Sequence, residues 1–308
     1  MAEFQGTLAA SIHISGTGLH TGKQGTMTFH PASPGFGIQF RRTDLEGKPM
    51  IPAHITHVVD TARGTTIGID SVRIYTIEHV LAALIGMGVD NALIDLNMDE
   101  IPIRDGSSRY FVEAIEQVGI QTQSQTREYI EIKEELVLHL SDTGSKLRIS
   151  PADEFSVEVE IDYATKVLGK QKAYLSSLSE FNTEIAPCRT FVFLHELEFL
   201  LNNNLIKGGD LSNAIVFVNR KVSQEELDRL ATLFNKPKVK VKDEGILNNL
   251  ELYFPNEAAR HKLLDVVGDL SLLGKRLKGK VQAYKPGHYA NTEFAKLIYK
   301  TLNSISYD

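Results

Sequence analysis

The run Arg260–Asp269 places a histidine and two carboxylates at helical spacing. A helix advances roughly 100° per residue, so Asp265 would lie about 40° and Asp269 about 80° from His261, on one side. A histidine and an aspartate four residues apart can reach one metal ion, and mixed nitrogen and oxygen ligands suit zinc. Gly268 lies along the same stripe and leaves room beside it. The alternative is a solvated helix edge, where the His–Asp pair only stabilises the helix slightly.

Glu78 and His79 are neighbours in the first turn of another predicted helix. Adjacent helical side chains diverge by about 100°, so both cannot enter one core. A metal ligand beside a general base would explain the pair, because the base must reach the activated water rather than the metal. The alternative is a solvated first turn, where the helix dipole favours glutamate. With His261 and Asp265, His79 would complete three protein ligands, the number typical of catalytic zinc.

Three further residues could take part in chemistry. Asp269 is too far along its helix to share a metal with Asp265, but it could orient a histidine. His288, in a predicted loop after a strand, could act as an acid if a carboxylate raised its pKa, or it is simply exposed. Thr190 could donate to a developing oxyanion or cap a helix. We expect Cys188 to be a buried small side chain, because no histidine is placed to activate it.

The composition excludes several classes of protein. The chain has 308 residues, a formal net charge of −6 and one cysteine. The negative charge argues against a nucleic-acid partner, and the single cysteine indicates a reducing compartment. No signal-peptide pattern opens the chain, and the longest apolar run, around Val80–Val89, is too short to span a bilayer. We therefore expect a cytoplasmic protein without a transmembrane segment.

The polar segment Gln121–Thr126 is the clearest break in composition and is predicted to be a linker. It would separate an N-terminal domain over residues 1–122 from a C-terminal domain over residues 128–308. Each half has a helix with a histidine near its start, then a glycine stop and a strand. This parallel predicts an α+β fold, with two related two-layer α/β-sandwich domains packed face to face and the active site between them.

Local signals predict the individual elements. Thr76 and Asn256 are expected to cap helices, the second of which ends at Gly274. The predicted helices cover 77–85, 109–118, 194–202, 256–274 and 292–302, and the predicted strands cover 5–14, 25–30, 92–97, 129–140, 146–150, 156–162, 214–218 and 280–284.

Short motifs follow one another from near the N-terminus to Asn291: Gly16–Gly22, Thr76–His79, Gly88–Asn91, Ile101–Ser107, Arg189–Phe191, Gly208–Gly209, Arg260–Asp265, Gly268–Leu270 and Gly287–His288. With these motifs the chain resembles the zinc-dependent UDP-3-O-acyl-N-acetylglucosamine deacetylase family of lipid A synthesis. The resemblance covers nearly the whole chain and is specific as a set.

The resemblance implies a role for each catalytic candidate. Zn²⁺ would be held by His79, His261 and Asp265. Glu78 would be the general base. His288, oriented by Asp269, would stabilise the oxyanion and protonate the leaving amine, and Thr190 would donate to the oxyanion.

The resemblance also implies an amphiphilic sugar-nucleotide substrate, whose N-acetyl group is released as acetate. Lys262 and His20 would contact this substrate. An insert near residues 194–213 would form a passage for the acyl chain, lined by Phe191, Leu197, Ile206 and Leu211. Some relatives in this family are fused to a hydroxyacyl dehydratase domain. The alternatives are a non-catalytic protein that binds sugar nucleotides or acyl chains, and a zinc hydrolase for another N-acyl sugar, while iron could replace zinc.

Overall fold

The structure is a computed structural model that describes residues 3–203, 207–235 and 238–305. In the N-terminal half, the helices are α1 (Glu78–Gly86) and α2 (Arg109–Val118), with a 3₁₀ helix at Ile55–His57. The strands of this half are β1 (Phe4–Leu8), β2 (Ile12–Thr17), β3 (Gln24–Pro31), β4 (Ile38–Arg42), β5 (Met50–Pro52), β6 (Val58–Asp60), β7 (Thr66–Ile69), β8 (Val72–Ile74), β9 (Ala92–Leu96) and β10 (Ile120–Thr126).

The C-terminal half contains eight described strands and five described helices. The strands are β11 (Tyr129–Glu131), β12 (Leu136–Leu140), β13 (Ser145–Ser150), β14 (Phe155–Asp162), β15 (Lys170–Leu175), β16 (Phe191–Phe193), β17 (Ile215–Phe217) and β18 (Arg276–Tyr284). The helices are α3 (Phe181–Glu184), α4 (Leu194–Asn202), α5 (Gln224–Leu233), α6 (Glu257–Leu270) and α7 (His288–Ile305), with 3₁₀ helices at Leu178–Glu180 and Ser271–Leu273.

The two main sheets have the same topology. One has the order β2-β3-β9-β4-β5 and the other β12-β13-β18-β14-β15. In both sheets the last strand in sequence lies at the centre. It is antiparallel to the second strand of one hairpin (β3 or β13) and parallel to the first strand of the next hairpin (β4 or β14). A long helix precedes each central strand, α1 before β9 and α6 before β18. The predicted α+β fold of two related halves is confirmed by this order, although their side chains differ.

The helical layers of the two halves meet through α1 and α6. Every residue of α1 from Glu78 to Leu84 is buried, and the helix packs against α6 and α2. α6 is likewise buried along most of its length and packs on β14 and β15. The far end of α1 is fixed by Arg276 on β18, whose guanidinium donates to the Ile85 carbonyl and to Asp90.

Residues Gln121–Thr126, predicted to be a linker, instead belong to β10, which pairs antiparallel with β1. Strand pairing uses backbone groups, so a polar and largely exposed strand can form wherever a partner lies alongside. In addition, the side-chain amide of Asn91 donates to Gln123 at 2.7 Å. Composition alone could not reveal this partner, and the division into domains at this point stays a prediction.

Three other local predictions are wrong. His288 is the first residue of α7 rather than a loop residue. Thr76 does not cap α1, because it has a left-handed φ of 62° and its hydroxyl donates to Glu100. Asn256 is the residue before α6 but forms no side-chain capping bond, since its Oδ1 accepts from Arg260 Nε at 2.9 Å instead.

A second apolar core lies in the segment between β16 and α6. It is built from side chains of α4, β17, α5 and the loops that follow them. Leu197 and Leu211 are 5% and 1% exposed in this core, as ordinary packing of apolar side chains would give. None of the described helices is both long and apolar enough to cross a membrane.

Candidate metal centre and active site

His79 on α1 meets His261 and Asp265 on α6 at the junction of the two halves. Their ligand atoms all lie within 4.8 Å of one another, and all three side chains are buried. The Nε2 atoms of His79 and His261 are 3.7 and 3.5 Å from Asp265 Oδ1. The two imidazole rings are edge-on, with centroids 4.9 Å apart. This cluster could hold one metal ion between two nitrogens and one oxygen.

The chemistry of these residues fits a metal. Asp265 Oδ1 is buried and has no hydrogen-bond partner among the described residues. A buried carboxylate oxygen is costly unless something compensates it, and a cation would do so. Although burial alone would raise the pKa of Asp265, the charge of Lys262 and then that of His288 hold it well below its usual range. Asp265 is therefore ionised, as a ligand must be.

The backbone of the Cys188 loop orients His261. Its Nδ1 lies 3.0 Å from the Cys188 carbonyl oxygen, an acceptor, so Nδ1 carries the proton and Nε2 is left to face the cluster. Burial lowers the pKa of His261 to about 3, which keeps the imidazole neutral and able to bind a cation. Arg189 ties this loop to the start of α6 by an ion pair with Glu257 at 2.8 Å.

Close contact between α1 and α6 brings the three residues together, and Gly268 permits it. A Cβ atom at this position would lie 2.8 Å from the Glu78 carbonyl carbon and closer still to its oxygen. Real side chains do not approach a backbone so closely, so glycine is required here for steric rather than conformational reasons. The room that the sequence predicted beside the polar stripe is thus filled by the first turn of α1.

Glu78 is buried beside this cluster and points toward His288. One carboxylate oxygen, Oε2, accepts the Thr65 amide at 2.9 Å. The other, Oε1, lies 3.9 Å from His288 Nε2. Burial raises the pKa of Glu78 against the opposing effect of the nearby imidazoles. A carboxylate whose proton affinity is raised in this way is suited to accept a proton.

A second group of hydrogen bonds fixes His288. Its Nδ1 lies 3.2 Å from Asp269 Oδ2, which also accepts the Asn291 amide at 2.9 Å. The Thr65 hydroxyl donates to the other Asp269 oxygen at 2.5 Å. Burial alone would lower the pKa of His288, but the charges of Glu78, Asp265 and Asp269 raise it to about 9. The imidazole is therefore cationic at neutral pH and can donate a proton.

Lys262 and Phe191 lie beside the same cluster. The Lys262 ammonium pairs with Asp265 Oδ2 at 2.7 Å and lies 5.6 Å from the centre of the Phe191 ring. Phe191 in turn contacts the Tyr163 ring edge-on, at 5.5 Å between centroids. Burial lowers the pKa of Lys262, but Asp265 more than offsets this and raises it above its usual value, so the amine stays charged.

The other predicted site residues that the structure describes are not among the contacts given above for the metal-ligand cluster. Thr190 precedes β16 and is bonded through its backbone to Gly106 and Ile215. His20 is half-buried and lines a cavity of about 320 Å³ that Thr76 and Lys207 also border. Leu197 and Leu211 lie in the second apolar core described above, and Ile206 is outside the described residues. The roles predicted for these residues stay predictions.

Two residues that hold this site in place were not singled out from the sequence. Thr65 donates to both Glu78 and Asp269, so it links the candidate base to the carboxylate behind the candidate acid. It lies in an irregular stretch, where no periodicity marks it. Asn291 fixes Asp269, and the available signal was its position three residues after the Gly287–His288 motif.

These features define a class: an α+β protein in which two related halves present a candidate single-metal centre flanked by a buried carboxylate and a cationic imidazole. A family model described as UDP-3-O-acyl N-acetylglycosamine deacetylase, LpxC, matches residues 5–239 and 234–300. The chain belongs to this family.

Similar curated proteins carry matching names. A bifunctional enzyme LpxC/FabZ of Bacteroides thetaiotaomicron is 44% identical over 298 residues, which cover 97% of this chain and 65% of that protein. UDP-3-O-acyl-N-acetylglucosamine deacetylases of Syntrophotalea carbinolica and Chlamydia felis are 40% and 37% identical, over 96% and 97% of this chain and 87% and 98% of their own lengths. The chain thus spans about two-thirds or less of the bifunctional relatives it matches. Their names confirm that some relatives carry two enzymes in one chain.

Proposed function

We propose that this chain is a zinc-dependent hydrolase that removes the N-acetyl group of UDP-3-O-acyl-N-acetylglucosamine, releasing acetate and UDP-3-O-acyl-glucosamine for lipid A synthesis. The observation that carries the proposal is the convergence of His79, His261 and Asp265 within 4.8 Å, with Glu78 and His288 beside them. Family membership and the names of the relatives support the substrate. The cytoplasmic location expected from the single cysteine is part of the same proposal.

His79, His261 and Asp265 would hold the zinc ion. Three protein ligands with mixed nitrogen and oxygen atoms are typical of catalytic zinc, which keeps a further position open. When bound, zinc would act as a Lewis acid that polarises a carbonyl and lowers the pKa of a bound water to about 7. Iron is the alternative metal, because imidazole and carboxylate ligands also suit Fe²⁺.

Glu78 and His288 would divide the proton transfers. Glu78 Oε1 accepts the proton of the attacking water, since its other oxygen is already held by the Thr65 amide. His288 is cationic, so it stabilises negative charge on the carbonyl oxygen and then donates its Nε2 proton to the leaving amine. Asp269 fixes the Nδ1 side of this imidazole and thereby directs Nε2 toward Glu78.

The substrate would extend outward from this centre. Lys262 and Phe191 present a cation and an aromatic ring beside it, which suits a phosphorylated sugar. We assign Thr190 to the carbonyl oxygen and His20 to the polar part of the substrate. The acyl chain would enter the insert; the residues assigned to its passage are Phe191, Leu197, Ile206 and Leu211.

Metal removal and one substitution test this function. A chelator should abolish acetate release from the sugar nucleotide, and added Zn²⁺ should restore it. Glu78→Gln should retain zinc but lose about 10²–10⁴-fold in kcat, because a general base is worth roughly that much. Glu46→Gln, at an exposed position, is the matched control and should behave as the unchanged protein. Full activity of metal-free protein, or a normal rate for Glu78→Gln, would contradict the mechanism.

The same assay separates the alternatives. A binding protein would retain the sugar nucleotide without releasing acetate. A hydrolase for another N-acyl sugar would prefer a different member of a panel of acylated amino sugars. Metal analysis of protein purified without chelator, followed by reconstitution with Zn²⁺ or Fe²⁺, would identify the metal that supports turnover.

A further inference from the structure

Glu100 is a fully buried carboxylate that the proposed mechanism does not use, with 0% of its surface exposed. It accepts hydrogen bonds from the backbone amides of His20 and Thr21, at 2.9 and 2.8 Å. The Thr21 hydroxyl donates to it at 2.8 Å and the Thr76 hydroxyl at 3.2 Å. Hydrogen bonds to an ionised carboxylate are stronger than those between neutral groups, so Glu100 can hold the two segments that donate to it in place.

One of the segments that it binds is the glycine-rich turn over residues 18–22. The turn closes on itself, with the Gly22 amide donating to the Gly18 carbonyl at 3.0 Å. A Cβ at Gly18 would lie 2.9 Å from the carboxyl carbon of Glu100, so the turn follows the carboxylate closely. Successive amides directed at one anion form a nest, in which the anion holds the conformation of the turn.

The other segment is the entry to α1. Thr76 is two residues before Glu78 and has a left-handed φ of 62°, a conformation that β-branched residues avoid. Such a conformation persists only where its surroundings impose it, and the bond to Glu100 is one such restraint. Glu100 therefore joins the turn of residues 18–22 to the chain that delivers the candidate base.

The residues that Glu100 fixes also form a wall beside the base. The cavity of about 320 Å³ is lined by His20, Thr21 and Thr76 and extends to Gly64. A Cβ at Gly64 would be 3.0 Å from Glu78 Oε1, so the residue that lines this end of the cavity lies against the base. A shift of the turn would therefore change the shape of the cavity beside the residues that adjoin Glu78.

We propose that Glu100 is a positioning residue for substrate binding. This proposal rests on the proposed function. Its charge holds the turn of residues 18–22 and Thr76 in one arrangement, and it acts through His20 and Thr21 without touching substrate. The role is separate from metal binding, because none of the metal-ligand candidates is among its hydrogen-bond partners in the described chain.

The test compares Glu100→Gln with Glu46→Gln, which changes an exposed glutamate in the same way. In zinc-loaded protein, hydrogen exchange at the His20 and Thr21 amides should accelerate about tenfold or more in Glu100→Gln, because both lose a charge-assisted bond. KM should rise by about tenfold on the same grounds, with kcat and zinc affinity changed less than threefold. Amides of β3 and β9 should keep their protection.

Each other outcome overturns the proposal. Unchanged exchange at the two amides would show that Glu100 does not order the turn. Faster exchange throughout the protein, with KM unchanged for the folded fraction, would assign Glu100 to stability alone. If Glu100→Gln does not fold, Glu100→Asp shortens the side chain and draws the carboxylate away from both amides. Unchanged exchange at the His20 and Thr21 amides of that variant would have the same meaning. Absence of turnover in unchanged protein would instead refute the proposed function, and the exchange comparison would still decide whether Glu100 orders the turn.

Discussion

Replacing Gly268 by alanine should weaken metal binding more than it weakens the fold. In an exposed helix this substitution would stabilise the protein by about 1 kcal/mol, because alanine has the higher helix propensity. Here the added Cβ would lie 2.8 Å from the carbonyl carbon of Glu78 and 3.1 Å from its Cα. The steric conflict therefore reverses the sign expected from propensity.

The size of the effect follows from this distance. To reach the 3.4 Å of ordinary contact, the Glu78 carbonyl carbon must move away from α6 by at least 0.6 Å. His79 is the next residue of α1, so it moves with Glu78, away from His261 and Asp265. Metal–ligand distances tolerate only about 0.2 Å. We expect a loss in zinc affinity of about 10–100-fold, as for other changes that displace ligands, and a destabilisation of about 1–3 kcal/mol from overpacking.

The assay is competition for zinc against a coloured chelator, with the thermal unfolding of the metal-free protein measured in parallel. Gly86→Ala is the matched control, because it overpacks the opposite end of α1. A Cβ there would lie 2.9 Å from one ring carbon of Phe181 and nearer to two others. Both variants should lose stability, but only Gly268→Ala should lose most of its zinc affinity. Wild-type zinc affinity in Gly268→Ala, or equal losses in the two variants, would refute the argument that contact between α1 and α6 sets the metal site.

Two further predictions concern titrating groups. Burial raises the pKa of the Cys188 thiol, so an aromatic disulfide reagent at pH 8 should label the thiol only as fast as the protein unfolds, and immediate labelling of folded protein would contradict its burial. Asp269→Asn should move the alkaline limb of the pH profile of kcat/KM to lower pH. The negative charge of Asp269 helps to raise the pKa of His288 to about 9, and without it the imidazole loses its proton sooner. An unchanged limb would mean that His288 is not the acid.

The sequence predicted the parts of this molecule that depend on periodicity and short motifs. The spacing of His261 and Asp265 placed them on one side of a helix, and α6 has them there. The repeated order of helix, glycine and strand predicted two related halves, and the sheets have one topology. Both signals are local, because a helical period or a glycine that ends a helix can be recognised within about a dozen residues.

What the sequence could not predict depends on partners distant in the chain. Residues 121–126 are polar, and only the presence of β1 alongside makes them a strand. Thr65 is distinguished by bonds to two carboxylates, one of them 204 positions away. Glutamate is usually found at the surface, and only the backbone amides that donate to Glu100 identify its role. In each case the contact depends on backbone groups or on a single polar side chain, and such contacts leave no pattern in residue type. The residues that hold the catalytic candidates in place are therefore where substitutions in this family should be least predictable from sequence and most informative to measure.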